Sequence, residues 1–155
     1  MSLLARLLAA LGWREVPSAN AQSSKIVRDV KAAAEWIAKA LRSSGYNADF
    51  SVESLKEIDR FFDDEAPGGV PRETGLLSES LGARIFGIGS YVGEVVRRAA
   101  GGEWVGNDGD PTAEINVELH LKDGAILWPV QRAMKRLKNG REDGIYAYGH
   151  ALLHP

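Results

Sequence analysis

The stretch "GIGSYVGEVVRRAAGGEW", Gly87 to Trp104, opens as G-x-G-x-x-x-G. Two readings compete for it. In a dinucleotide fingerprint the glycines follow a strand directly, and the phosphate sits on the amide end of the helix they open. The alternative is a helix interior stripped of side chains so that neighbouring backbone can approach. The residues before Gly87, "LLSESLGARIF", carry polar serines and helical spacing, with no buried-strand run. Leu77, Leu81, Ile85, Ile88, Val92, Val95 and Ala99 form one apolar stripe that crosses the glycines without a change of phase. The second reading therefore holds: a long helix from Thr74 to the stop at Gly101-Gly102. Gly82, Gly89 and Gly93 share one side of it. A glycine inside a helix costs up to about 1 kcal/mol against alanine, and close packing is what offsets it. Glu94 lies away from the stripe, with Arg97 and Arg98 three and four residues on, the spacing of a surface ion pair.

Upstream, Ser23 or Ser24 caps a helix whose apolar face is Ile26, Val30, Ala33, Ile37 and Leu41, ended by Gly45. Trp36 flanks that face. "SLKE", Ser54 to Glu57, reads as a capping box opening a helix with Leu55, Ile58, Phe61 and Phe62 inward. Glu53, Glu57, Asp63 and Asp64 lie on its wet side, and "APGGVPRETG" is a loop. Downstream the period drops to two. Ile115, Val117, Leu119 and Leu121 alternate with Glu114, Asn116, Glu118 and His120, the pattern of a half-buried strand. "EWV" (Glu103–Val105) and "AILW" supply two more strands, joined by "GNDGDPT" and the turn "KDG". Pro129 opens a helix with Val130, Ala133, Met134 and Leu137 inward, stopped by Asn139-Gly140. A last helix from about Asp143 carries Ile145, Tyr148 and Leu152. The expected architecture is a single α+β domain over residues 1–155. It has N-terminal helices, a long glycine-containing central helix, a three-stranded antiparallel meander and two C-terminal helices.

Residues 1–22 read as an amphipathic helix and linker, with Leu3, Leu4, Leu7, Leu8 and Leu11 on one stripe. Ala19-Asn20-Ala21 mimics a signal-peptidase site, so export with loss of residues 1–21 is the alternative to a cytoplasmic location. The missing basic start and the interruption at Arg6 favour the helix. No segment is long enough to span a bilayer. A net charge of −2 gives no ground for nucleic-acid or membrane-surface binding. The absence of cysteine excludes disulfides, thiolate zinc sites and a cysteine nucleophile.

Little in the chain carries chemistry. There is no P-loop, G-x-S-x-G elbow or calcium loop, and no metal-ligand spacing surrounds the three histidines. No cofactor, metal or catalytic residue is therefore assigned. Glu114, Asn116, Glu118 and His120 form a polar sheet face that becomes a cleft only if a helix covers it. The basic run Arg132, Lys135, Arg136, Lys138 and Arg141 suits a helix C-terminus, an anionic partner, or the acidic helix around Asp63.

The segment Tyr91–Tyr148, with "YVGEVVRRAAGGEW" and "WPVQRAMKRLKNGREDGIYAY", resembles a set of uncharacterised bacterial domains that share a glycine-containing helix ending Gly-Gly-x-Trp and a later "K-R-x-x-N-G-x-x-D". The resemblance implies a bacterial origin and carries over no activity. Two functions stand. One is a non-enzymatic interaction domain of a regulatory or toxin-immunity kind, binding a protein partner or a second copy. Its anchors would be Trp13, Trp36, Trp104 and Trp128. The other is a small metal-dependent hydrolase using Glu118 and His120.

Overall fold

The computed structural model describes residues 24–155. The N-terminal stripe, the linker and Trp13 lie outside them. The order is α1 (Lys25–Ser43), α2 (Leu55–Glu65), α3 (Leu81–Ala100), β1 (Gly102–Val105), α4 (Ala113–Asn116), β2 (Glu118–Leu121), β3 (Ile126–Leu127), α5 (Pro129–Asn139) and α6 (Ile145–Leu153). The expected α+β architecture is present. The sheet runs β1-β2-β3, antiparallel throughout, with Trp104 opposite Leu119 and Leu119 opposite Leu127.

The helix α1 forms where its sequence predicts. Ser24 caps it, accepting from the Val27 amide, and Gly45 follows it at φ 89°. Its first two amides, Lys25 and Ile26, are taken by the Asp108 carboxylate at 2.9 Å each, so a loop residue far along the chain completes the cap. The capping box at Ser54 is absent. Ser51 caps instead, accepting from the Ser54 amide ahead of a short 3-10 turn (Val52–Ser54) that leads into α2. Ser54 turns inward to the Tyr91 hydroxyl at 2.6 Å, and Glu57 accepts from the Asn47 amide. A buried tyrosine hydroxyl needs a partner, and that demand outweighs the local cap.

The central helix begins at Leu81, not at Thr74. Residues 74–80 form turns, and Ser80 adopts a left-handed φ of 50°. Leu77 is still buried, but from a turn. Every residue of α3 from Ile85 to Val96 is buried. This is an enclosed rod rather than a one-sided helix, and the stripe is correspondingly incomplete as a description. Ala99, expected on it, is exposed. Tyr91, Val92 and Val95 join α2, Ile145 and the C-terminal half of α1 in one core. Phe86 and Val96 join the N-terminal half of α1, the sheet and Val130 in a second.

The glycines explain how so much surrounds one helix. A Cβ on Gly89 would stand 2.5 Å from Val130 Cα and 3.0 Å from the Pro129 carbonyl oxygen. One on Gly93 would fall inside the Trp104 ring. One on Gly87, on the other side, would stand 3.2 Å from Ile37 Cβ of α1. Gly82 does not belong with them. It is exposed and a Cβ there would meet nothing within 4 Å. The helix is bare at its middle for packing, and at Gly82 for no reason that neighbouring atoms supply.

Two further expectations change. The predicted strand over Glu114–Leu121 is half helix: Ala113–Asn116 make the single turn α4, and β2 starts at Glu118. Asp110 is the cause. Its carboxylate accepts from the Thr112 amide and hydroxyl and from the Asn116 side-chain amide, folding the segment back on itself. In α5, Val130 and Ala133 are buried as expected, but Met134 is 42% exposed. Arg136 takes the buried place, 3% exposed, bonded to Asp59 at 2.8 Å and Asp63 at 2.9 Å on α2. The basic run thus meets the acidic helix of the same molecule.

A paired substitution tests the packing reading. Gly89→Ala should destabilise the fold by about 3 kcal/mol, because it must push α5 away. Gly82→Ala should stabilise it by up to about 1 kcal/mol, because it adds helix propensity in open space. Urea unfolding of both variants measures the contrast.

Candidate functional site

Three of the exposed apolar side chains collect in one place. Leu81 (37% exposed) from α3, Ile115 (38%) from α4 and Met134 (42%) from α5 rim a groove of about 820 Å³. Ile85, Phe86 and Val130 form its floor, and Gln131, Lys135, Leu137 and Lys138 continue along the α5 side. Each element opens it for a local reason. The first turn of α3 carries the side-chain-free Gly82. The one turn of α4 is too short to roof anything. Arg136 turns α5 toward α2, which leaves Met134 facing outward. Charge is asymmetric at the lips, with Lys135 and Lys138 on α5 and Glu114 on α4.

This groove was not read from the sequence, yet its signal was there. Leu81 and Met134 were expected to be buried because they fall on apolar helical faces, and Ile115 because it alternates. All three have the pattern of core residues and lack a described partner.

The polar face expected on the sheet is divided. Glu118 and His120 do project together from β2, with His120 Nε2 3.4 Å from Glu118 Oε2. That nitrogen is shut off from solvent and makes no hydrogen bond. Glu114 and Asn116 are carried elsewhere by α4. Glu114 is on the groove lip, and Asn116 is bonded to Asp110 and Thr112. Among the described residues no group of three His, Cys, Asp or Glu side chains is placed to hold a metal ion.

The tryptophans separate in the same way. Trp36 is 53% exposed beside a small hollow with Phe61 and Leu76, and Trp128 is 44% exposed at the start of α5. Trp104 is core, 1% exposed, with its ring over Gly93. It is therefore no interface anchor.

Trp104 reaches the one carboxylate of α3, Glu94. Its Nε1 donates to Glu94 at 2.7 Å, and Arg97 donates to both Glu94 oxygens at 2.7 and 3.0 Å. Arg98 adds a bond at 3.3 Å and extends to Glu35 on α1. Glu94 is 3% exposed, so the expected surface pair is a buried network. The seat made by Gly93 draws the indole in, and the indole covers the carboxylate. Burial alone would raise the Glu94 pKa. The bonds from Arg97 and Trp104 and the two guanidinium charges outweigh it and hold the carboxyl below its ordinary 4.5. Every lone pair is answered inside the molecule, which is the mark of a structural carboxylate rather than a reacting one.

No family model, curated protein or solved structure matches this chain. Among the described residues no helix is long and apolar enough to cross a membrane.

The sign of the Glu94 shift makes a prediction. A depressed folded-state pKa contributes stability above the unfolded value, and that stability drains as pH falls through the folded pKa. Unfolding free energy should therefore drop below about pH 4.5. Glu94→Gln should lose about 2–3 kcal/mol at pH 7 and show a flatter acid limb. Denaturant titrations at a series of pH values read both.

Proposed function

We propose that this protein is a non-enzymatic interaction domain whose groove receives an apolar helical segment from a protein partner. The observation that carries the reading is the groove. It combines an apolar floor, three half-exposed apolar side chains on three different elements, and room for one helix face. Amphipathic helices bind proteins by laying apolar residues at i, i+3, i+4 and i+7 into such surfaces. The lysine lip adds a preference for a partner with acidic residues along one edge of its helix, which would speed encounter and fix its direction. A regulatory or toxin-immunity role is compatible with a domain of this kind. The hydrolase alternative has no such support, since Glu118 and His120 gain no third ligand among the described residues.

A photoreactive amino acid in place of Met134 tests the reading in cells of the source organism. The expected product is an adduct with a second protein, through a segment of leucine-type spacing bordered by acids. A synthetic copy of that segment should bind the purified chain at least tenfold more weakly after Leu81→Glu. Labelling confined to the chain itself, or binding indifferent to Leu81, overturns the proposal.

A further inference from the structure

We infer that the outer face of the sheet is a second docking surface, one that takes an extended basic segment of a partner protein. It stands apart from the groove, which α3, α4 and α5 enclose, and rests on different observations.

The strand pairing lays this face out in two rows. In the first, Glu103 stands opposite His120, and His120 opposite Ile126. In the second, two residues along, Val105 stands opposite Glu118, and Trp128 follows Ile126 at the alternation that returns to the same side. The side chains between them, Trp104, Leu119 and Leu127, point into the core and are buried. All six outward residues stay wholly or partly open to solvent, and Ile126 and Trp128 are two of the large apolar side chains left exposed.

The face is acidic and its acids are unanswered. Glu103 makes no hydrogen bond or ion pair among the described residues. Glu118 has only His120 beside it, at 3.4 Å and without a hydrogen bond between them. Lys122, in the turn after β2, lies along Gly101 instead and pairs with neither carboxylate. Next to Glu118 the face runs into a hollow of about 210 Å³, to which Asn107, Asp110 and Asn116 also contribute oxygen atoms and no lysine or arginine contributes. Bonds from Asn116 and Thr112 hold the Asp110 carboxyl below its ordinary 3.8, so the hollow is negative at neutral pH.

The spacing selects an extended occupant. Glu103 and Glu118 are diagonal neighbours on adjacent strands, about 7–8 Å apart. Every second side chain of an extended segment recurs on one side at about 6.5 Å. Lysine or arginine at i and i+2 therefore meets both carboxylates at once, whereas a helix turns those two positions away from each other. The same long side chains serve the apolar part of the face. Their methylene stems cover Val105 and Ile126, and a cation beside Glu118 lies within reach of the Trp128 ring. An acidic segment would meet two bare carboxylates of its own sign.

The test uses the full chain and a short labelled peptide in which lysine alternates with valine. The alternating peptide should bind, and the amide resonances that move should be those of Glu103, Glu118 and Trp128 rather than Leu81 or Met134. Glu103→Gln with Glu118→Gln should weaken binding at least tenfold without changing the melting temperature, because neither carboxylate accepts a hydrogen bond within the described fold. Trp128→Leu should weaken it about threefold, and added salt should weaken it further. Leu81→Glu, which closes the groove to an apolar helix, should leave this binding unchanged, so the two proposals fail separately. Absence of binding at millimolar peptide overturns the inference. So does equal affinity for the double glutamine variant, or for a peptide of the same composition with its lysines three residues apart. Shifts that map to the groove overturn it too, as does a dimer of the chain in sedimentation that Glu118→Gln dissolves, which would make the face a contact between two copies.

Discussion

The structure turns on how closely α5 and the Trp104 ring approach α3. Two positions without side chains permit it. At Gly89 the backbone of Val130 lies where a Cβ would be, and at Gly93 the indole of Trp104 and the Pro129 ring do. From that contact a chain of consequences runs through the molecule. The indole, seated on Gly93, presents Nε1 to Glu94, the next residue. Glu94 is neutralised by Arg97 and Arg98, and Arg98 reaches Glu35 on α1. One pair of glycines thus fixes the sheet, the C-terminal helices and, through charge, the first described helix. The same closeness leaves little slack. Ser90, on the enclosed part of the rod, has a hydroxyl without a hydrogen-bond partner. Enclosure on every side has a cost wherever the sequence keeps a polar atom there.

Carboxylates from distant segments finish two of the helices. Asp108, in the loop after β1, takes the first amides of α1. Asp59, on α2, takes the Ile145 and Tyr146 amides that open α6, while also holding Arg136. Each negative charge sits at the positive end of a helix and answers amides that would otherwise lack partners. These bonds join residues more than eighty positions apart, so they order the tertiary structure as much as the helix ends. They also explain why Arg136 is buried on α5. With Asp59 already committed to that junction and Asp63 one turn along α2, the Arg136 guanidinium completes a network in which each member is bonded. Met134 is displaced to the opposite side.

How far the fold was legible follows from which signals are local. Helix α1, the α5 start at Pro129, the stops at Gly45 and Gly140 and the meander order all depend on spacing and turn chemistry within a few residues, and all were readable. The half-strand at Glu114–Asn116 was not. Alternation of Ile115 with its neighbours is a local signal, but Asp110 overrides it with side-chain bonds. The Ser54 cap was lost to Tyr91, a residue thirty-seven positions away. Glu94 looked like a surface residue because a helical wheel shows phase and not what covers it. Trp104 looked like an anchor because tryptophan composition does not distinguish a core from an interface. The groove was invisible for a related reason. Periodicity marks Leu81, Ile115 and Met134 as wanting burial, but says nothing about whether the rest of the chain supplies it.

That shortfall is itself a physical statement. Burying the exposed part of one such side chain is worth about 1 kcal/mol. Leaving three of them half-bare in one groove therefore forgoes an appreciable fraction of the stability typical of a domain this size. The fold had room to avoid this. A longer α4 would roof the groove, and a side chain at Gly82 would narrow it without touching any neighbour. Neither is present, although the same chain elsewhere packs α3 until no side chain fits. Tight closure at Gly89 and open apolar surface at Gly82, about two turns apart on one helix, are best understood together. The first makes the platform rigid, and a rigid platform holds an apolar groove open instead of collapsing into it.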